Sequence, residues 1–359
     1  MQTIKAVFWN GDQHRLRTLW RLIGQVILLV AIAVPLEVAV GFAAFGLLLV
    51  QEGIPLDQLS DPQIAQQLIM ENPLSMTLSS IGLALAFAIS VWLAGRFLDR
   101  RPFAGFGFHL GRDWWIDFGF GLALGAGLML VIFLIELAVG WVSVTGTFVT
   151  NRPDASFLTA ILVPVVSFLA VGFYEELFSR GYQLRNTAEG LNWGPIAPQG
   201  AIVIATLLSS ALFGALHASN PNATAFSTLN IAFAGILLAM GYLLTGELAI
   251  PIALHITWNF FQGNVFGFPV SGTAVRAATF ISVEQGGPDL WTGGAFGPEA
   301  GLLGLGAMIV GILLIVLWVR RRYGRVGLDL SLAQAPVLGP IEAPDLSPVE
   351  APDRPAQQA

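Results

Sequence analysis

The chain contains no cysteine and few charged residues. None of its 359 residues is cysteine, and only 11% are charged, whereas a soluble domain carries about 25%. The absence of cysteine excludes disulfides, thiolate metal sites and a cysteine nucleophile. The low charge, together with 55% hydrophobic residues and a mean hydropathy of +0.72, predicts a polytopic membrane protein.

Eight apolar runs have the length of membrane-spanning helices, each of which requires about 20 residues. We therefore predict an all-α fold, a polytopic membrane helical bundle with about eight transmembrane helices. The predicted spans are Leu22–Val50, Met76–Phe97, Trp115–Trp141, Phe157–Phe178, Gly200–Leu216, Phe226–Leu244, Ala249–Phe266 and Gly301–Val319.

Basic residues indicate the orientation, because cytoplasmic loops carry an excess of lysine and arginine. With eight crossings, four basic clusters fall on one side, and the acidic loop after the first span falls on the other. Both termini are therefore predicted to be cytoplasmic. The clusters contain Lys5, Arg15, Arg17 and Arg21; Arg96, Arg100, Arg101 and Arg112; Arg180 and Arg185; and Arg320, Arg321, Arg322 and Arg325.

Two adjacent glutamates, Glu175 and Glu176, lie at the end of the fourth apolar run. Charges within a span are costly and adjacent carboxylates repel, so the pair indicates a functional site or a cationic partner. Arg180 lies four residues after Glu176, which places the two side chains on one helix face in the favourable order. Glu175 points about 100° away from Glu176. A charge-paired helix end at the membrane surface would have the same sequence.

Two of the four histidines lie in or at the edge of predicted spans. His217 closes the fifth span, where a capping or interfacial histidine is the ordinary interpretation, whereas His255 and Asn259 share one face of the seventh span. Glutamate, histidine and asparagine are the components of a site that activates water and holds an oxyanion. Glu175, His217 and His255 are also candidate ligands for a divalent metal such as zinc, although their spacing is not HExxH.

Two further acids lie within predicted spans. Glu37 and Glu136 have no basic partner nearby in the sequence. We expect them to be hydrogen-bonded residues of the bundle or to line a polar cavity, and we expect a catalytic role for neither.

The order of the polar motifs resembles that of one protein family. Glu-Glu-x-x-x-Arg, Phe-x-x-x-His and His-x-x-x-Asn in successive membrane segments resemble the CPBP group of intramembrane proteases. That group includes the CAAX prenyl endopeptidases of the Rce1 type and bacterial Abi proteins linked to bacteriocin immunity. The resemblance covers about Phe157 to Asn264, and the loop Trp291–Glu299 is also similar to one common in bacterial members.

The resemblance implies roles for the motif residues. It makes Glu175 the water-activating acid with His217 beside it, while His255 and Asn259 support the oxyanion of the tetrahedral intermediate. Glu176 and Arg180 match positions that orient the first motif. The family has been described both as metalloproteases and as glutamate-dependent proteases, so the resemblance does not decide whether a metal cofactor is used.

The predicted function is an intramembrane endopeptidase that hydrolyses a peptide bond of a membrane-associated protein or peptide. Its partners would be that substrate and the lipid bilayer, with no nucleic acid, in the plasma membrane of a bacterium. Two alternatives stay open. One is a non-catalytic scaffold, sensor partner or immunity protein of the same fold, and the other is a transporter whose intramembrane acids relay ions.

This interpretation divides the chain into six parts. They are a cytoplasmic N-terminal segment (1–21), N-terminal transmembrane helices (22–150), a CPBP-like catalytic core (151–268), a Gly-rich external loop (269–300), the last span with its basic end (301–325) and a disordered Pro-rich tail (326–359). One geometric difficulty follows from the predicted spans. Glu175 and His255 fall near the cytoplasmic face, whereas His217 falls about 25 Å along its span, near the outer face.

Overall fold

The computed structural model describes residues 7–51, 72–151, 156–274 and 276–336, which form a helical bundle with two small antiparallel ribbons. We number its main helices α1 to α9 and its strands β1 to β4. The helices are α1 Thr18–Gln51, α2 Pro73–Ala94, α3 Arg112–Ala138, α4 Phe157–Glu176, α5 Arg185–Leu191, α6 Pro198–Leu216, α7 Ala225–Thr245, α8 Ala249–Phe260 and α9 Leu302–Tyr323. The strands are β1 Trp9–Asn10, β2 Arg15–Leu16, β3 Val142–Thr150 and β4 Ala278–Gln285.

Within the described residues, seven helices are long and apolar enough to cross a membrane, which confirms the predicted polytopic bundle. The seventh predicted span differs from the others. It forms α8, of 12 residues, followed by the π-helical turn Phe261–Val265. All residues from Ala249 to Ile256 are buried, so α8 is surrounded by protein and does not need the length of a lipid-facing helix.

The fourth span continues well beyond its predicted end at Phe178. After α4, the chain forms a π-helical segment, Leu177–Leu184, and then α5, so that one helical rod covers Phe157–Leu191. The polar residues after Phe178 do not end the helix because protein, and not cytoplasm, surrounds them. Arg180, for example, is 1% exposed. Glu175 therefore lies near the middle of the rod.

Glycines bring α8 close to α3 and α4. A Cβ atom on Gly125 of α3 would lie 2.5 Å from the carbonyl oxygen of Leu254, and one on Gly172 of α4 would lie 2.6 Å from Cγ1 of Ile256. Only residues without a side chain permit such approaches. These two contacts fix the depth and rotation of α8, and with them the position of His255.

The segment predicted as a Gly-rich external loop contains regular structure. Its strand β4 pairs with β3 in an antiparallel ribbon, with a register shift between Val144 and Gly146. At the base of the ribbon, Ala278 packs against Ala160 and Ile161 near the start of α4. The ribbon therefore covers the end of the bundle at which α4 begins.

The start of the predicted disordered tail is folded in the part of the chain that the structure describes. Leu332 and Ala333 are 0% and 1% exposed, in a short helical turn, Leu330–Ala333, that the side chain of Asp329 caps through the backbone N–H of Ser331. The side chain of Asn192 donates a hydrogen bond of 2.9 Å to the carbonyl of Ala333. The prediction of disorder from residue 326 onward is thus wrong for this turn, and residues 337–359 of the predicted tail lie outside the described residues.

Candidate active site

A cavity of about 410 Å³ opens between α2, α4, α6, α8 and the segment that follows α8. Four of the six predicted site residues line it: Glu175, His217, His255 and Asn259. Glu176 and Arg180 lie behind its wall and are almost fully buried. The sequence therefore identified a group of side chains that the fold brings together from three helices.

The depth of His217 no longer conflicts with a shared site. A hydrogen bond of 2.9 Å from Ser209 Oγ to the carbonyl of Ser179 sets α6 against the rod that contains α4. Along α6, His217 lies eight residues, or about 12 Å, from Ser209. Along the rod, Glu175 lies four residues, or about 6 Å, from Ser179 in the same direction. The difficulty arose because the fourth span was predicted to end too early, which placed Glu175 too close to the cytoplasmic face.

Glu176 joins two other site residues. Its Oε1 accepts a hydrogen bond of 2.8 Å from Arg180 Nη1 and lies 2.8 Å from His255 Nδ1. Arg180 in turn donates from Nη2 to the carbonyl of Gly235 and lies over the ring of Phe213, 4.5 Å from its centroid. The i,i+4 pair that the sequence predicts is therefore extended to α6, α7 and α8.

His255 is held so that its second nitrogen faces the first glutamate. Because the carboxylate of Glu176 accepts, Nδ1 of His255 donates, and Nε2 lies 3.9 Å from Oε2 of Glu175. This separation is too long for a direct hydrogen bond. Glu176 therefore acts on the site through the orientation of His255 and does not reach the cavity itself.

Glu175 has one oxygen without a partner. Its side chain is 20% exposed, and Oε2 is buried without a hydrogen bond within the described structure. A buried carboxylate oxygen is normally hydrogen-bonded to protein or water. Because Glu175 also lines the cavity, its carboxylate is suited to hold a water molecule next to a bound peptide.

His217 has a similar free nitrogen. At the end of α6, its Nδ1 lies 2.8 Å from the carbonyl of Phe213, which can only accept, so Nε2 has no proton in the neutral ring. Metal-binding histidines often have this arrangement. However, among the described residues no three acidic, histidine or cysteine side chains converge as a metal-ligand group. The donor types of Glu175, His217 and His255 suit zinc, but their arrangement does not match a three-ligand site.

The other two intramembrane acids do not line the cavity. Glu37 accepts a hydrogen bond of 2.6 Å from Ser79 Oγ, which joins α1 to α2. Glu136 is fully buried and accepts a bond of 2.8 Å from Gln285 Nε2 at the end of β4. Both are hydrogen-bonded residues of the bundle, as the sequence predicts.

Two residues near the site were not identified from the sequence. Arg276 lines the cavity from the segment before β4, and Glu299 borders a smaller cavity of about 40 Å³ beside His255 and Asn259. An arginine on the side predicted to be external runs against the charge rule used for orientation, and this was the available signal. Glu299 belongs to the loop that resembles bacterial members.

Glu299 connects the loop to the site. Its carboxylate accepts hydrogen bonds from the backbone N–H of Ser271, at 2.6 Å, and from the side chain of Gln262. The side chain of Asn220 donates to the carbonyl of the same Ser271, at 3.1 Å, just after His217. Burial raises the pKa of Glu299 to about 7, and the hydrogen bonds from Ser271 and Gln262 oppose that rise.

Comparisons with known proteins find similarity over the segment that contains the site. Residues 157–261 match the family model described as type II CAAX prenyl endopeptidase Rce1-like. The chain is also 27% identical over 251 residues to the uncharacterized protein YyaK of Bacillus subtilis (strain 168), which covers 68% of this chain and 77% of that protein. No solved structure matches.

The matched segment contains all six predicted site residues. The predicted resemblance to the CPBP group is thereby confirmed. With seven apolar helices among the described residues, the molecule is an integral membrane protein, and residues 157–261 are similar to the Rce1-like family of CAAX-type intramembrane proteases.

Proposed function

We propose that the protein is an intramembrane endopeptidase in which Glu175 activates a water molecule. The observation that carries this proposal is the unpartnered Oε2 of Glu175, buried on the cavity wall and opposite Nε2 of His255. A base in this position can accept a proton from water, and a peptide in the cavity would present its carbonyl to the same water. The substrate would be a membrane-associated peptide or protein that enters the cavity from the bilayer.

The reaction follows from the positions of three side chains. Glu175 takes a proton from water as the oxygen bonds to the carbonyl carbon of the peptide. The negative charge that develops on the carbonyl oxygen is stabilised by Asn259, whose side chain lines the cavity, and by His255 in its imidazolium form. Glu175 then returns the proton to the departing amine as the carbon–nitrogen bond breaks.

Two other residues complete this proposal. Glu176, held by Arg180, keeps Nδ1 of His255 occupied and so directs Nε2 into the cavity. His217, with Nδ1 on a backbone carbonyl, offers Nε2 as an acceptor that positions the water. The similarity to a Bacillus protein supports a place in a bacterial plasma membrane.

The test is a peptidase assay on purified protein in detergent with a library of internally quenched peptides. The variant Glu175→Gln keeps the shape of the side chain but cannot accept the proton, so we expect hydrolysis to fall by roughly 10²- to 10⁴-fold. Glu136→Gln, which changes a buried acid outside the cavity, is the matched control and should keep activity. Equal hydrolysis by the unaltered protein and Glu175→Gln would refute the mechanism. Full biological function in a Glu175→Gln strain would favour a non-catalytic scaffold.

A chelator distinguishes the two mechanisms described for the family. Because no three ligands converge in the described structure, we expect hydrolysis to survive treatment with 1,10-phenanthroline. Loss of activity with the chelator and recovery on addition of zinc would instead assign Glu175, His217 and His255 as metal ligands.

A further inference from the structure

Arg276, on the wall of the candidate active site, is a cation without a counter-charge among the described residues. Its side chain is half-buried, and its Nε is buried without a hydrogen-bond partner. Within the described structure it forms no ion pair, and burial lowers its pKa below the ordinary value. Removing an arginine from water without an ionic partner is costly, which makes Arg276 a candidate to bind an anionic group of another molecule.

Of the five buried arginines of the described structure, four have an ionic partner, and the fifth, Arg185, donates hydrogen bonds to Tyr242 Oη and to the carbonyl of Ser331. Arg21 and Arg101 pair with Glu189, and Arg180 pairs with Glu176. Arg276 lines a cavity in which Glu175 is the only acidic lining residue among those the structure describes. That acid lies elsewhere in the cavity and forms no ion pair with Arg276.

The cavity is long enough for a peptide to reach both residues. Its lining along α4 and the π-helical segment extends from Val163 to Ser179, which is 16 residues or about 24 Å. Arg276 precedes strand β4, which packs near the start of α4, whereas Glu175 lies toward the other end. An extended peptide of about seven residues, at about 3.3 Å per residue, would span this length.

We propose that Arg276 binds a carboxylate of the substrate, on the order of three to five residues from the peptide bond that Glu175 attacks. The planar guanidinium suits bidentate binding of a carboxylate. This carboxylate is either the C-terminal group of the peptide or the side chain of an aspartate or glutamate. That the bound peptide is a substrate rests on the proposed function, but binding of its carboxylate by Arg276 does not require hydrolysis.

The experiment measures binding in the non-hydrolysing Glu175→Gln background, in detergent, by fluorescence anisotropy. The probes are fluorescein-labelled hexapeptides of alanine and leucine. One pair ends in a free carboxylate or an amide, and a second, amidated pair contains a single aspartate or asparagine at the fourth residue. Tighter binding of the free acid than of its amide identifies the terminal carboxylate, and tighter binding of the aspartate peptide identifies a side chain.

Three variants complete the test. Arg276→Gln should weaken binding of the preferred acidic probe by roughly 10- to 100-fold. It should leave the affinity for that probe's neutral counterpart unchanged. Arg276→Lys, which keeps the charge, should recover part of the loss, and Arg325→Gln, which changes an exposed arginine beyond α9, should have no effect. Equal binding of each acidic probe and its neutral counterpart, including no binding of either, would overturn the proposal.

This result is independent of the peptidase assay. If the carboxylate preference is found but no peptide is hydrolysed by the unaltered protein, the proposed function fails and the binding site stands. If hydrolysis depends on Glu175 but acidic and neutral probes bind equally in every variant, the function stands and the assignment of Arg276 fails.

Discussion

Two regions of the molecule bury charge in opposite ways. In the candidate active site, Oε2 of Glu175 and Nε of Arg276 have no hydrogen-bond partner within the described residues. In the second region every charged group has an ionic partner. This region, which we call the inner cluster, contains Arg15, Arg21, Asp99, Arg101 and Glu189.

Glu189 is the centre of the inner cluster. Its Oε1 accepts a bond of 2.7 Å from Arg21 and also contacts Arg15, while its Oε2 lies 3.1 Å from Arg101. The three arginines come from β2, α1 and the segment after α2, and all are buried. Each charge of the inner cluster has an opposite charge within the cluster, although Arg21 Nε and Asp99 Oδ2 have no hydrogen-bond partner among the described residues, so the cluster joins parts of the fold. Arg276 on the cavity wall has no such counter-charge in the described structure and leaves capacity for another molecule.

The largest expected effect tests the second region of this comparison, the inner cluster. Glu189→Gln removes the shared counter-charge of three buried arginines and should lower the free energy of unfolding by about 3–5 kcal/mol. Denaturant unfolding in detergent measures this change, and Glu284→Gln, on the exposed side of β4, is the control. Hydrolysis per folded molecule should be nearly unchanged. A loss of stability below about 1 kcal/mol would contradict the view that the inner cluster is structural.

A smaller effect is expected at the oxyanion. Asn259→Ala removes one donor on the cavity wall and should lower kcat by roughly 10²- to 10³-fold, with little change in KM, because the donor acts on charge that develops only in the transition state. Steady-state kinetics on the best peptide of the library measure both constants. A rise in KM at constant kcat would show that Asn259 binds the peptide and does not support the oxyanion.

Glu299 is intermediate between the candidate active site and the inner cluster. Its carboxylate accepts hydrogen bonds but has no cationic partner among the described residues. Its pKa is raised to about 7 in the folded protein, whereas an unfolded glutamate has a pKa of about 4.3. Stability from this group is therefore complete below about pH 4.3 and is lost as the pH rises through about 7.

The expected size of this loss is on the order of 2 kcal/mol. Thermal unfolding in detergent from pH 5 to pH 8 should show it as a fall for the unaltered protein relative to Glu299→Gln, which cannot ionise. Parallel pH profiles for the two proteins would show that Glu299 does not change its ionisation in this range.

Much of the fold and of the candidate site could be predicted from the sequence, because both depend on local signals. Long apolar runs determine the helices, and the spacing of Glu176 and Arg180 predicts the pair that the structure shows at 2.8 Å. The bond between Glu176 and His255 joins residues 79 positions apart, and nothing in either segment alone indicates it.

The remaining differences have a common physical cause. Glycine and polar residues were interpreted as signs of loops. Segments that contain such residues can nevertheless form helices or strands when they are buried against other parts of the protein. The rod of α4 continues past Phe178, β4 forms within a Gly-rich segment, and Leu330–Ala333 folds at the start of the predicted tail. In each case the partner that buries the segment is distant in sequence.

The π-helical segment Leu177–Leu184 has a consequence for the whole rod. It lies between the glutamate pair and Glu189 on one continuous helix, and each of its residues turns the chain less than an α-helical residue does, because its hydrogen bonds close five residues apart. The segment therefore sets the rotational phase between the acids at the cavity and the acid of the inner cluster. Deletion of one residue there would turn Glu175 relative to Glu189 by somewhat less than the roughly 100° of one α-helical residue, so the length of this stretch is constrained as well as its side chains.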